Sequence, residues 1–183
     1  MDNFPGTRRV AFSARKRIAR ELLSKFSKAF SDISYDLLWE SQTVNAQAWR
    51  SGDIRRVTLY GGMVRHSLVS MRGLALILAH ETGHHLGGEP FDPELRWPTW
   101  QGQADYWAAR TAMPLVFGKK ARAITLRGAR ELVELCRILG AEDSDLSVEE
   151  RLAIFSAGAM NRPPPVCFYQ AFDRVSLRSR KPS

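Results

Sequence analysis

Apolar residues recur mostly at three- and four-residue steps through Phe12, Ile18, Leu22, Phe26 and Phe30, with basic residues between them. That period predicts an amphipathic helix over residues 8–30. A stretch of strand character follows, Asp32 to Trp39. Two further β-prone runs, Val44–Trp49 and Ile54–Tyr60, flank Ser51-Gly52-Asp53 and read as a hairpin that Gly61-Gly62 ends. Residues 70–86 form the next predicted helix. Its run Leu74–Ala79 has no polar face, so it is expected to be buried on most sides. Gly87-Gly88 terminates it, and Pro90 and Pro93 prevent its resumption. After a loop rich in Pro and Trp, a helix is expected from Gln101 to Met113, stopping at Pro114. Two more are expected over 126–139, ended by Gly140, and 147–160, with Ser147 as N-cap and Glu150 at the capping-box position. From Arg162 onward, Pro163-Pro164-Pro165 and a basic end read as a wrapped or frayed C-terminal tail, 162–183.

Composition narrows the class. The 183 residues fit one domain, 1–183. At 44% apolar and 25% charged, with no fixed-period repeat, the chain is neither disordered nor a solenoid. Its longest apolar run, Leu74–Ala79, is far short of the roughly 20 residues of a membrane span. The start, Met1 to Gly6, lacks the apolar region of a signal peptide. The chain as it stands therefore reads as cytoplasmic, with export the alternative if a leader precedes it. Cys136 and Cys167 are too few for a disulfide framework. A single bridge is geometrically possible, and two buried free thiols are the simpler expectation. The net charge is +8, of which residues 1–30 contribute +6. Such a segment is either a solvated helix face or a docking surface for an acidic partner. Its aromatic residues Phe12, Phe26 and Phe30 belong to the apolar stripe and not to the basic face, which speaks against nucleic acid.

The chemistry concentrates in His80-Glu81-Thr82-Gly83-His84, an HExxH inside the predicted buried helix. Residues four apart share a helix face, so both imidazoles can reach one Zn2+ ion. Glu81, about 100° further round, is turned aside to act as general base on a water that the metal activates. Two ligands leave a catalytic zinc site one short. His85 lies on a neighbouring face and His66 in a loop before the helix, so neither is a strong candidate. Pro90 stands where the metzincin pattern requires histidine. The helix beginning Gln101-Gly102-Gln103-Ala104-Asp105-Tyr106-Trp107 is the better source.

These residues carry a resemblance. An apolar helix with HExGH, followed by a helix ending its first turn in Ala-Asp, resembles the gluzincin metallopeptidases and is most similar to small soluble relatives of the CAAX-prenyl peptidases. Val44-Asn45-Ala46 and Leu59-Tyr60-Gly61-Gly62 fit the strands that such relatives place over the cleft, so the resemblance covers residues 40–113. It implies a glutamate at the start of the second helix as third zinc ligand, and an aspartate four residues later that braces a ligand histidine. Here the first position is Gln101 and the second Asp105. A glutamine carbonyl is a neutral, weaker oxygen donor. Three outcomes follow: Gln101 ligates weakly, Asp105 becomes the third ligand, or metal affinity is largely lost. The run Gln103–Ala109 with Met113-Pro114 is also similar to a helix of HExxH peptidases that cleave repressors.

The expected fold is α+β, a small zincin-like domain whose short, mostly antiparallel sheet packs on the HExxH helix. The expected function is zinc-dependent hydrolysis of a peptide or protein substrate. His80 and His84 would bind the metal, Glu81 would act as base, and Gln101 or Asp105 would complete or brace the site. An edge strand, Ile54–Tyr60, would hold an extended substrate by backbone pairing, and Trp97 and Trp100 would either wall the cleft or pack. The alternatives are a zincin-fold binding or regulatory module with weak or no activity, and a repressor-cleaving regulatory peptidase.

Overall fold

A computed structural model describes residues 5–92, 94–140 and 146–178. The side chains of Arg8 and Arg9, residue Pro93 and the extreme C-terminus lie outside the described residues. The order is α1 (Pro5–Ala29), β1 (Ile33–Leu38), β2 (Ala46–Ser51), β3 (Ile54–Tyr60), a short α2 (Gly61–Arg65), α3 (Met71–Leu86), α4 (Gln101–Trp107), α5 (Met113–Phe117), α6 (Ala121–Leu139), α7 (Val148–Ala159) and α8 (Val166–Arg178). The fold is α+β, with a three-stranded sheet in the order β1-β3-β2. β2 and β3 form the expected antiparallel hairpin, and β1 runs parallel to β3. The strand Ile54–Tyr60 is therefore central and paired on both sides, and the free edge that faces α3 belongs to β2. Strand order is decided by where β1 packs, which no local pattern records.

α3 is the hub. Leu74, Ala75, Leu76, Ile77, Leu78 and Ala79 are all buried, as a helix with no polar stripe requires. A fully buried leucine stabilises by roughly 1.5–3 kcal/mol, so this run anchors the domain. One side of α3 meets the sheet and α1, whose Leu22, Leu23 and Phe26 join the same core. The other meets α4, α6 and the π-helical turn Ala108–Ala112 that carries α4 into α5. Pro114 sits in the first turn of α5, where its missing N–H costs little, so the helix does not stop there.

The start of α3 is fixed from a distance. Glu131 on α6 accepts from Ser70 N at 2.8 Å, Ser70 Oγ at 2.7 Å and Gly73 N at 3.1 Å, covering otherwise unpaired N-terminal donors. Arg15 on α1 similarly donates to the carbonyls of Val64, His66 and Val69 at 2.8–3.0 Å, tying α1 to the segment that leads into α3. Gly83 admits α4. A Cβ there would stand 2.8 Å from Ala104 O and 3.1 Å from Ala104 Cα, so only glycine lets the two backbones approach this closely.

Residues 166–178 are helical, where the sequence reading expected a tail. The prolines precede the helix, and Phe168, Ala171 and Val175 recur at helical steps to pack under Trp100 and α7. Ser147 and Glu150 form the expected capping box, and Cys136 and Cys167 are half-buried and not joined in a disulfide.

Candidate metal centre

Helix α3 turns His80 and His84 onto one face, with ring centroids 4.6 Å apart. Their Nε2 atoms approach to 3.1 Å. Each ring is held from behind by an acceptor. His84 Nδ1 donates to Thr99 O at 2.8 Å, and Thr99 N returns a bond to His84 O at 2.9 Å, fastening the 87–100 loop to the helix. His80 Nδ1 lies 2.7 Å from Asp105 Oδ1, a short contact whose N–H points off the ideal line.

Asp105 is fully buried. Arg151 on α7 grips it with two bonds, Nε to Oδ2 at 2.7 Å and Nη2 to Oδ1 at 2.8 Å. Burial pushes the Asp105 carboxyl up, but the charge of Arg151 and its hydrogen bonds overcome it and leave the group below the ordinary carboxylate range. Both oxygens are thereby engaged by Arg151, Oδ1 lies against His80, and Asp105 is not among the residues that line the cavity shared by the two histidines. Removing one partner of such a buried pair typically costs about 3–5 kcal/mol.

Because both Nδ1 atoms face acceptors, each carries its proton there, and both Nε2 atoms are bare in the neutral rings. Two lone pairs then confront each other at 3.1 Å, an arrangement that calls for a cation. Burial pushes the His84 imidazole below its ordinary range. Two nitrogens on a tetrahedral zinc at about 2.0–2.1 Å are separated by about 3.3 Å, close to the spacing found.

Gln101 opens α4 on the same side. Its Oε1 is buried without a partner, and its side chain lines the cavity that His80, Glu81 and His84 also line. Among the described residues no group of three His, Cys, Asp or Glu side chains is placed to hold a metal. Gln101, which lines the same cavity as the two histidines, is an amide and so falls outside those residue types. An orphaned buried carbonyl on the wall of the cavity that two imidazoles also line supplies donor types that suit zinc.

Glu81 points across the cleft to the sheet, where Oε2 accepts from Ala48 N at 2.7 Å. That N–H lies on the free side of β2. With period two, Ala46 and Arg50 present their backbone groups to the same side. The cavity, about 580 Å3, runs between residues 44–48 at the entry to β2, the loop residues Trp97–Thr99, and an apolar wall of Leu132, Leu135 and Leu139 on α6.

The remaining candidates separate cleanly. His85 turns to the sheet, its Nε2 donating to Arg56 O at 2.9 Å, and the His66 ring accepts from Leu68 N within its own turn. Trp97 walls the cleft. Trp100 is 1% exposed and packs on Phe168 and Phe172. Sequence reasoning missed Arg151, which is 46 residues from its partner, and missed the Thr99 carbonyl, since any backbone can supply one. Comparison with models of known families, with curated proteins and with solved structures finds no match.

Proposed function

We propose that the chain is a zinc-dependent peptide hydrolase. The observation that carries this reading is the pair of bare Nε2 atoms, 3.1 Å apart, each imidazole backed by an acceptor. His80, His84 and the Gln101 carbonyl would hold the ion. When bound, zinc supplies a Lewis acid that lowers the pKa of a water ligand towards about 7. Glu81, on the same helix and at the cleft wall, takes the proton of the attacking water and returns it to the leaving amine. Asp105 and Arg151 keep His80 oriented with its proton on Nδ1, and the Thr99 carbonyl does the same for His84. An extended substrate pairs with the free edge of β2, taking over the Ala48 N–H that Glu81 otherwise binds.

The test has two readouts. About one zinc per chain is expected after loading, and its loss in the His80→Ala/His84→Ala double variant. Cleavage of an unfolded protein substrate is expected with zinc and is abolished by Glu81→Gln. Metal content indifferent to the histidines, or cleavage indifferent to Glu81, overturns the proposal. A second reading, a zincin-fold binding module without turnover, is favoured by one feature: the amide at position 101 leaves the donor set without any negative charge. Zinc binding with no cleavage would establish it.

A further inference from the structure

One end of the cleft is built differently from the rest. The Arg50 guanidinium lies 4.8 Å from the centroid of the Trp97 ring, and Trp97 stacks on His85 at 5.4 Å with an interplanar angle of 28°. The stack is rigid from below, because His85 is bonded to the Arg56 carbonyl, and from the side, because Thr99 ties the Trp97 loop to α3. Trp97 lines the same cavity as Glu81 and both site histidines. Arg55 sits directly across from Arg50 in the hairpin register, adding a second positive charge. Arg56 is ion-paired with Asp36 at 3.3 Å, but among the described residues neither Arg50 nor Arg55 is in an ion pair. A loop carboxylate on the cavity wall, Asp92, accepts at Oδ1 from the backbone N–H groups of Glu94 and Leu95.

We propose that Arg50, stacked on Trp97 and backed by Arg55, is a subsite for the carboxylate of a Glu or Asp side chain in an extended peptide bound along β2. This rests on reading the cleft as a peptide-binding site. Arg50 is two residues from Ala48 on the free edge of β2, about 6.6–6.8 Å along the strand. A peptide residue paired opposite Ala48 lies beside Glu81, so the acidic side chain falls two residues away in the substrate, on the same face. The stack on Trp97 restricts the guanidinium and leaves its N–H fork to bind a carboxylate in its own plane. A neutral or basic side chain at that position gains nothing from the fork, and a lysine meets two like charges.

The experiment uses the full chain carrying Glu81→Gln, loaded with zinc. The probes are fluorescein-labelled peptides of about ten residues in which Gln at each position is replaced in turn by Glu or Lys, and affinity is read by anisotropy. One position should prefer Glu over Gln by about three- to fivefold, the range of an opposite-charge cross-strand pair. The preference should vanish in about 0.5 M NaCl and in Arg50→Ala, and invert towards Lys in Arg50→Glu. Arg50 is exposed, so these variants should melt as the parent does. The absence of any Glu preference, or a preference that survives Arg50→Glu, overturns the subsite. Failure of the hydrolase reading looks different: wild type cleaves no peptide while the Arg50-dependent preference persists.

Discussion

Replacing Gly83 by alanine tests the joint between the two site helices. Alanine is the better helix former, by roughly 0.5–1 kcal/mol in a helix interior, so on propensity alone the variant should be more stable. The structure demands the opposite. The new Cβ would stand 2.8 Å from Ala104 O, 3.1 Å from Ala104 Cα and 3.3 Å from Ala104 C, all backbone atoms with no rotamer to escape into. Restoring ordinary contact moves α4 outward by about 0.5 Å or more, and overpacking of this kind costs about 1–3 kcal/mol. The net expectation is destabilisation by about 1–2 kcal/mol, or several degrees in the melting midpoint of a domain this size. A shift of that size also exceeds the tolerance of about 0.5 Å for a preorganised site, and it carries Gln101 and Asp105 with it. Zinc affinity should therefore fall by about 10- to 100-fold, as when ligand-supporting groups are lost. Urea melts and zinc titration against a competing chelator measure both. A variant at least as stable as wild type, with unaltered affinity, would refute the close approach of α4 to α3 at this point.

Other predictions follow from the same geometry. Gln101→Glu should raise zinc affinity by about tenfold or more, because the buried orphan carbonyl becomes a charged donor; an unchanged chelator titration would remove position 101 from the site. Glu131→Ala strips three hydrogen bonds from the start of α3 and should cost about 1.5–3 kcal/mol, read from denaturant melts. His84 and His85 are both held below their ordinary range, first by burial. An imidazole depressed in the folded state contributes stability that is present above its unfolded pKa of about 6.5 and is lost as pH falls below it, when the unfolded chain takes up the proton. Zinc-free protein should accordingly melt lower as pH drops from about 7 to about 5.5, and a flat profile would contradict the burial of these rings.

What could be read from the chain, and what could not, divides by the range of the interaction responsible. The burial of α3 follows from Leu74–Ala79 alone, the shared face of His80 and His84 from a spacing of four, and the start of α7 from Ser147 and Glu150. Each is a matter of one or two helical turns. The edge role of β2 escaped because it depends on β1 entering the sheet parallel to β3 on the far side. Arg151 escaped for a similar reason: an arginine on a half-exposed helix carries no local mark of the aspartate it will meet 46 residues away. The C-terminal helix was readable from Phe168, Ala171 and Val175, but Pro163-Pro164-Pro165 drew attention to the break and away from the period that follows it.

The bond between Glu81 and Ala48 N has a consequence for self-association. A bare strand edge is a template on which a second chain can add its own strand. β2 would be such an edge, and the carboxylate we propose as the base occupies its central amide. On the proposed reading a peptide in the cleft would displace this guard, so the protein would keep a docking strand without offering it to its own copies. The choice of inactive variant then matters. Glu81→Gln keeps an acceptor for the Ala48 N–H and should remain monodisperse, whereas Glu81→Ala uncovers the edge, so clumping in that variant would report the lost guard and not the lost base.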